Sequence, residues 1–199
     1  MGYGRGRASR ISYVGELGWE LYIATDFARG VFGDIAAEGE KHGLKFVGMH
    51  AMDSLRIEKA YRHWGHDITP EDTPIEAGLG FACKLGTNIP FIGREALEKQ
   101  KADGVTKRMV QFALEDPEPL VYHNEPVYRD GDMVGYLSSG NYGHYLGSAI
   151  GLGYVNNPDG VNADYGKSGS YEIHTAGERF AAKASLRPMY DPKIGRAHV

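Results

Sequence analysis

Three stretches carry side chains whose types and spacing could do chemistry. The first is Tyr13-Val14-Gly15-Glu16-Leu17-Gly18-Trp19-Glu20. A glycine-cornered turn between two strands can present Tyr13 and Glu20 toward one region. A fixed carboxylate there suits a ligand with an amidine-like edge, because it accepts two parallel N–H bonds. Tyrosine adds a flat face and a hydroxyl. The plainer alternative is an ordinary hairpin with an exposed glutamate. The second stretch runs from Ala51 to Lys59 and on through Tyr61, Arg62, His63, Trp64, His66 and Asp67. Asp53 with Arg56 and Glu58 with Arg62 are i,i+3 and i,i+4 pairs, so a salt-bridged helix is the simplest reading. His63 and His66 lie three apart, but the sequence places no clear third ligand, so no metal site is expected. The third is Asn141-Tyr142-Gly143-His144-Tyr145, read as a barrel turn. No G-x-S-x-G elbow and no phosphate or dinucleotide glycine loop appears, which argues against a hydrolase triad or a nucleotide fingerprint.

The elements that must position these residues are legible as patterns. Residues 10–14 and 19–24 read as strands around the Gly15–Gly18 turn, with both glycines available for positive φ. Thr25 or Asp26 is expected to cap a helix whose apolar positions are Phe27, Val31, Phe32, Ile35 and Ala36, ending near Gly43. A second helix is expected over 50–61, then a turn-rich stretch over 65–74. Residues 75–82 suit a buried strand or a tight backbone crossing. A third helix is expected over 93–102. From Arg108 onward the pattern is strand after strand: 109–114, 127–129, 133–138, 148–155, 170–174 and 180–185, with Asp130-Gly131-Asp132 as a hairpin signal. The chain is therefore read as α+β, with a boundary near residue 104 and a small antiparallel β-barrel or sandwich after it.

Composition narrows the classes. The 199 residues are 42% hydrophobic and 24% charged, ordinary for a globular chain that can bury a core without staples. A formal charge of -4 gives no basic excess for a nucleic-acid partner. No apolar run is long enough for a membrane span. The single cysteine, Cys83, supports neither a disulfide framework nor a cysteine zinc site and suits a reducing compartment. Residues 1–7 (MGYGRGR) lack periodicity, and residues 194–199 (IGRAHV) match the translation of a sequencing-adapter read-through. Both ends are expected to be non-native, with the natural frame left near Lys193.

Taken in order, the stretches RISYVGELGWELYI, AMDSLRIEKAYRHWG, DITPEDTPIEAGL and FIGREAL resemble the folate-binding aminomethyltransferase fold of the glycine cleavage T-protein. They are more similar to the version fused behind a flavin oxidase domain in dimethylglycine and sarcosine dehydrogenases. The resemblance covers about residues 9–192. It implies a partial ferredoxin-like α/β region over 8–104, incomplete in this chain, and a carboxyl-terminal β-barrel over 105–193. It implies tetrahydrofolate as the bound partner, held at the pterin by Glu20, with Tyr13 and Tyr61 at positions of ring contact. The family's catalytic aspartate lies in the earlier half of the fold, so no catalytic residue is expected here. FAD and the oxidation of a small methylated amine would belong to domains upstream in the parent, in the cytoplasm or, in a eukaryote, the mitochondrial matrix. Met52 stands where the T-protein motif A-R-D-S-L-R has arginine, which favours the dehydrogenase branch. Cys83, in F-A-C-K-L, does not match the K-G-C-Y-x-G-Q-E motif of the tRNA-modifying relatives. The alternatives are a portion of a glycine cleavage aminomethyltransferase and a docking module without catalysis.

Overall fold

The structure is a computed structural model and describes residues 4–190; residues 1–3 of the first end and all of 194–199 therefore lie outside the described residues. The chain divides into two compact units, one reaching to Asp53 and one spanning Ser54–Pro192.

In the first unit β1 (Gly6–Ser9) pairs antiparallel with β2 (Glu20–Ile23), in a register that sets Ser9 opposite Glu20 and Gly6 opposite Ile23. The first strand thus falls before residues 10–14, where the apolar pattern placed it. That segment spends its backbone groups locally: the Ile11 N–H donates to Ser9 O at 3.0 Å, and the Val14 N–H donates to Ser12 Oγ at 3.2 Å. A serine that offers the backbone a nearby acceptor competes with a ladder. Of the two turn glycines only Gly15 takes a positive φ, +78°. Gly18 serves close approach instead, since a Cβ there would meet Ile11 O at 2.9 Å.

The helix α1 (Thr25–Glu40) starts behind Ala24, not behind a capping Thr25 or Asp26, and no side chain caps it. Asp26 sits in the first turn, where its charge favours the helix dipole. The helix stops before Gly43, whose φ is +73°. Val31 is buried, while Phe27, Phe32 and Ile35 on the same stripe are 43%, 59% and 40% exposed. Phe32 stacks on Phe46 with centroids 5.5 Å apart.

The helix α2 (Met49–Glu58) carries the chain into the second unit. It closes on Ala60, at φ +53°, with the Tyr61 N–H donating to Arg56 O at 2.9 Å. This is the left-handed helix ending that glycine usually takes. Residues 75–82 make turns and a short 3-10 turn, Gly80–Ala82, not a strand. Arg62 Nε donates to Ala77 O at 3.0 Å, and Gly78 at φ +70° lets the guanidinium pass, since a Cβ there would lie 2.8 Å from it. The crossing of backbone and side chain is too tight for a sheet partner. The helix α3 (Arg94–Asp103) follows.

The rest is a closed antiparallel barrel. Its strands are β3 (Lys107–Leu114), β4 (Pro126–Arg129), β5 (Asp132–Gly143), β6 (Ser148–Asn156), β7 (Tyr171–Thr175) and β8 (Glu178–Ser185). Their order around the barrel is β3-β6-β5-β4-β7-β8. Closure comes from β3 pairing with both β6 and β8, which removes sheet edges. Inward residues Val110, Phe112, Val127, Leu137, Val155 and Ile173 belong to the core cluster. Asp130 (φ +53°) and Gly131 (φ +96°) turn β4 into β5, the two-residue geometry that right-twisted strands prefer. Gly135 lets β5 and β6 approach, for a Cβ there would overlap Tyr154 O.

Candidate functional site

In the first unit, pairing with β1 fixes Glu20 at the head of β2, where it is half-buried. Its Oε2 accepts the Tyr22 hydroxyl at 2.6 Å. Residues two apart on a strand share a face, so the Glu-x-Tyr spacing was the available signal for this partner, which sequence reasoning missed. The hydrogen bond to Glu20 and then the carboxylate's charge hold the Tyr22 hydroxyl above the usual tyrosine range. The Arg7 guanidinium lies 5.6 Å from the Tyr22 ring centroid. No other hydrogen bond to the Glu20 carboxylate occurs among the described residues. A carboxylate has about four lone-pair sites, so Glu20 keeps the capacity for two further parallel N–H donors. Tyr13 lies half-buried in the loop 10–19 of the same unit.

Tyr61 belongs to the second unit, half-buried immediately after the α2 ending. Around it lies a polar network that the sequence had suggested only as surface salt bridges. The side chains at the end of α2 are sealed: Arg56 is 2% exposed, Glu58 1% and Lys59 1%. Arg56 donates to Asp67 Oδ2 at 2.7 Å, to Ser139 Oγ at 2.8 Å and to Tyr61 O at 3.1 Å. The same Asp67 Oδ2 accepts the His63 N–H at 2.8 Å, while Oδ1 accepts Ser138 Oγ–H. Two consecutive serines can reach one network because β5 carries an irregularity between Leu137 and Ser139. A bulge breaks the alternation that would send them to opposite faces.

Glu58 Oε1 accepts the N–H groups of Tyr145 and Leu146 at 2.7 and 3.0 Å, gripping the turn after β5. Gln111 of β3 donates to Ile57 O at 2.7 Å and accepts the Met189 N–H at 2.8 Å. The Lys59 ammonium lies 4.2 Å from the Tyr190 ring centroid, and the Tyr145 ring is 3.9 Å from that ring. These contacts dock the end of α2 and the chain after β8 onto the barrel. They hold the backbone at Tyr61 and bring the Tyr145 and Tyr190 rings together beside the Lys59 ammonium.

A second polar cluster joins the turn-rich segment to the barrel. Lys107 Nζ meets Asp72 Oδ1 at 2.7 Å, and the ammonium lies 5.0 Å from the Tyr154 ring centroid. Burial alone would raise the Asp72 carboxyl, but hydrogen bonds from Lys107 and Thr69 outweigh it and hold it below the usual range. Burial likewise works against the charged Lys107, and the Asp72 bond overcomes it and raises the ammonium. Burial, then the Asp72 charge, pushes the Tyr154 hydroxyl far above its ordinary value. Among the described residues, no group of three or more His, Cys, Asp or Glu is placed to hold a metal ion. No described helix is long and apolar enough to cross a membrane. The His63 and His66 rings lie against each other at 4.5 Å.

Residues 1–87 match the family model described as the GCVT N-terminal domain, and residues 107–191 match the glycine cleavage T-protein C-terminal barrel domain. The chain belongs to the glycine cleavage T-protein family. It is 45% identical over 192 residues to human mitochondrial sarcosine dehydrogenase, covering 96% of this chain and 21% of that protein. It is also 45% identical over 184 residues to the formaldehyde-forming 4-methylaminobutanoate oxidase of Paenarthrobacter nicotinovorans, covering 92% of this chain and 22% of that one. The chain thus spans about a fifth of the length of these relatives. The crystal structure of the glycine cleavage system aminomethyltransferase T from Bartonella henselae shares the fold, with a TM-score of 0.79 at 23% identity over 95% of this chain and 51% of that one. Within the T-protein family the six strands built here are the C-terminal barrel, and the hairpin bearing Glu20 falls in the N-terminal-domain match.

Proposed function

We propose that this chain is the tetrahydrofolate-binding, one-carbon-transfer portion of a demethylating N-methyl amine dehydrogenase of the sarcosine or dimethylglycine type, forming 5,10-methylene-tetrahydrofolate. The observation that carries the proposal is Glu20: a half-buried carboxylate, pinned at one oxygen by Tyr22, with acceptor capacity left for an amidine-like edge. A pterin has such an edge in its 2-amino and N3–H groups, and charge-assisted paired bonds of this kind fix a flat ligand in one orientation. Tyr13, in the same unit as Glu20, supplies ring surface to this ligand, and the family resemblance alone carries the proposal of Tyr61 as a folate contact. Tetrahydrofolate, as substrate, supplies the two weakly basic nitrogens that receive the one-carbon unit. The contribution of this chain is binding and alignment, a proximity effect; the group handling protons at those nitrogens, an aspartate, lies outside it.

In this reading the methylated amine is oxidised in a preceding FAD domain. The dehydrogenase relatives of similar sequence support that organisation. The compartment would be one that holds reduced folate, the mitochondrial matrix or the cytoplasm. A second reading, release of the one-carbon unit as free formaldehyde, is favoured by the printed activity of the oxidase relative. The two separate in the full-length parent enzyme assayed with and without tetrahydrofolate. The folate-transfer reading expects tetrahydrofolate to suppress free formaldehyde, and Glu20→Ala to restore its release. Formaldehyde release indifferent to tetrahydrofolate would establish the second reading.

A further inference from the structure

The two-stranded ribbon that carries Glu20 gathers four polar side chains on one face. Its register sets Arg7 opposite Tyr22 and Ser9 opposite Glu20, and residues two apart on a strand point the same way. Their contacts run in a chain along that face. Arg7 Nε donates to Ser9 Oγ at 3.2 Å, the Arg7 guanidinium lies 5.6 Å from the Tyr22 ring centroid, and the Tyr22 hydroxyl donates to Glu20 Oε2 at 2.6 Å. Tyr22 is 55% exposed, so core burial is not what places its ring.

A glutamate side chain turns about several bonds, and its last torsion is broad. Immobilising such a chain on binding costs affinity. A tyrosine is stiffer and is ordered at low cost. A hydrogen bond from Tyr22, made before any ligand arrives, restricts the carboxylate plane and leaves Oε1 and a further lone pair of Oε2 to accept. We infer that Tyr22 is a positioning residue for Glu20: its hydroxyl holds the carboxylate plane ready for the paired N–H donors of a pterin and does not itself touch the ligand. The inference rests on the folate reading above and assigns that site its preorganising group. The bond also keeps the hydroxyl protonated, since the Tyr22 pKa lies above the usual tyrosine range. In the neutral range Tyr22 is therefore a donor to the carboxylate, not a competing anion.

The test uses the 199-residue chain with four sequences at positions 20 and 22: unmodified, Tyr22→Phe, Glu20→Ala and the double variant. Calorimetric titration with tetrahydrofolate should show Tyr22→Phe weakening binding roughly three- to tenfold, the range for ordering one long side chain. The same change in the Glu20→Ala background should have no effect, because a residue that acts through another has nothing left to act on. A second readout needs neither folate nor a substitution at Tyr22. The Tyr22 hydroxyl, titrated by NMR, should move down toward the ordinary tyrosine value in Glu20→Gln. Equal tetrahydrofolate affinity in the unmodified and folded Tyr22→Phe chains, with Glu20→Ala still weakened, would overturn this inference and leave the folate reading standing. An equal loss from Tyr22→Phe in both backgrounds would overturn it by making Tyr22 a direct ligand contact, and tighter binding by Tyr22→Phe by making it a competitor for the carboxylate. An unmoved Tyr22 titration in Glu20→Gln would overturn it at the hydrogen bond itself. No binding by the unmodified chain would overturn both readings.

Discussion

At the scale of single residues, the buried Arg56–Asp67 pair is costly to break, and the reason is asymmetry. A fully hydrogen-bonded buried pair adds little over an apolar replacement, but a charge left without its partner is expensive. Asp67→Asn leaves Arg56 buried against a neutral amide. It should cost about 3–5 kcal/mol in urea unfolding; a loss below about 1 kcal/mol would show that water or a rearranged carboxylate reaches the guanidinium. The sequence showed these side chains but not their burial. Spacing of i,i+3 and i,i+4 describes neighbours on one helix, whereas Arg56 meets Asp67 and Ser139, 11 and 83 residues away. The same limit hid Tyr190, whose neighbours Lys59 and Tyr145 are remote in sequence. For Glu20 the pattern gave only its place at the start of a strand, which the structure has at the head of β2; its role as a pterin contact is an expectation from the family resemblance.

At the scale of elements, the barrel strands were legible to within about two residues except β5, which runs on to Gly143 through Asn141 and Tyr142, where a turn was expected; the first hairpin was not legible. Strands β3 to β8 alternate around one core and are divided by turn pairs such as Asp130-Gly131, so pattern and turn chemistry agree. The second such turn, Ala176 and Gly177 at φ +52° and +84°, carries the weaker signal of a non-glycine residue in the left-handed region. In the segment before Glu20, periodicity pointed to a strand, but the local bonds to Ser9 O and Ser12 Oγ prevailed. The β4–β5 turn offers a direct check. Gly131 at φ +96° has open space around it, so any penalty on substitution is conformational. Gly131→Val should lower unfolding free energy by about 1–2 kcal/mol, the cost of a left-handed L-residue, while far-UV circular dichroism stays unchanged. A neutral result would mean that the turn adopts another geometry in solution.

At the scale of the molecule, the two units are built differently. The barrel unit has a dense core, while α1 in the other leaves Phe27, Phe32 and Ile35 substantially exposed. Native-state hydrogen exchange should therefore show the amides of β3, β5 and β6 protected up to the global limit, with those of α1 exchanging through smaller openings. Uniform protection across both would contradict that difference.

The Asp72–Lys107–Tyr154 cluster adds a pH dependence. Lys107 and Tyr154 have folded pKa values raised above their unfolded values. Their contributions are full below about pH 10 and are lost as pH rises through the folded values. Asp72 has a lowered folded pKa, so its contribution is present above about pH 4 and lost as pH falls through the folded value. Stability should be level between these limits and fall beyond both. Tyr154→Phe, which removes one of the alkaline groups, should make the high-pH decline in urea midpoint shallower; an unaltered decline would place its origin elsewhere.

The central claim is that residues of this chain, Glu20 above all, hold a pterin. Calorimetric titration of tetrahydrofolate into the 199-residue chain and its Glu20→Ala variant tests it most directly. The account predicts saturable binding that the substitution weakens by about tenfold or more, as expected for loss of charge-assisted hydrogen bonds. Equal affinity in the two folded proteins, or no binding by either, would contradict it.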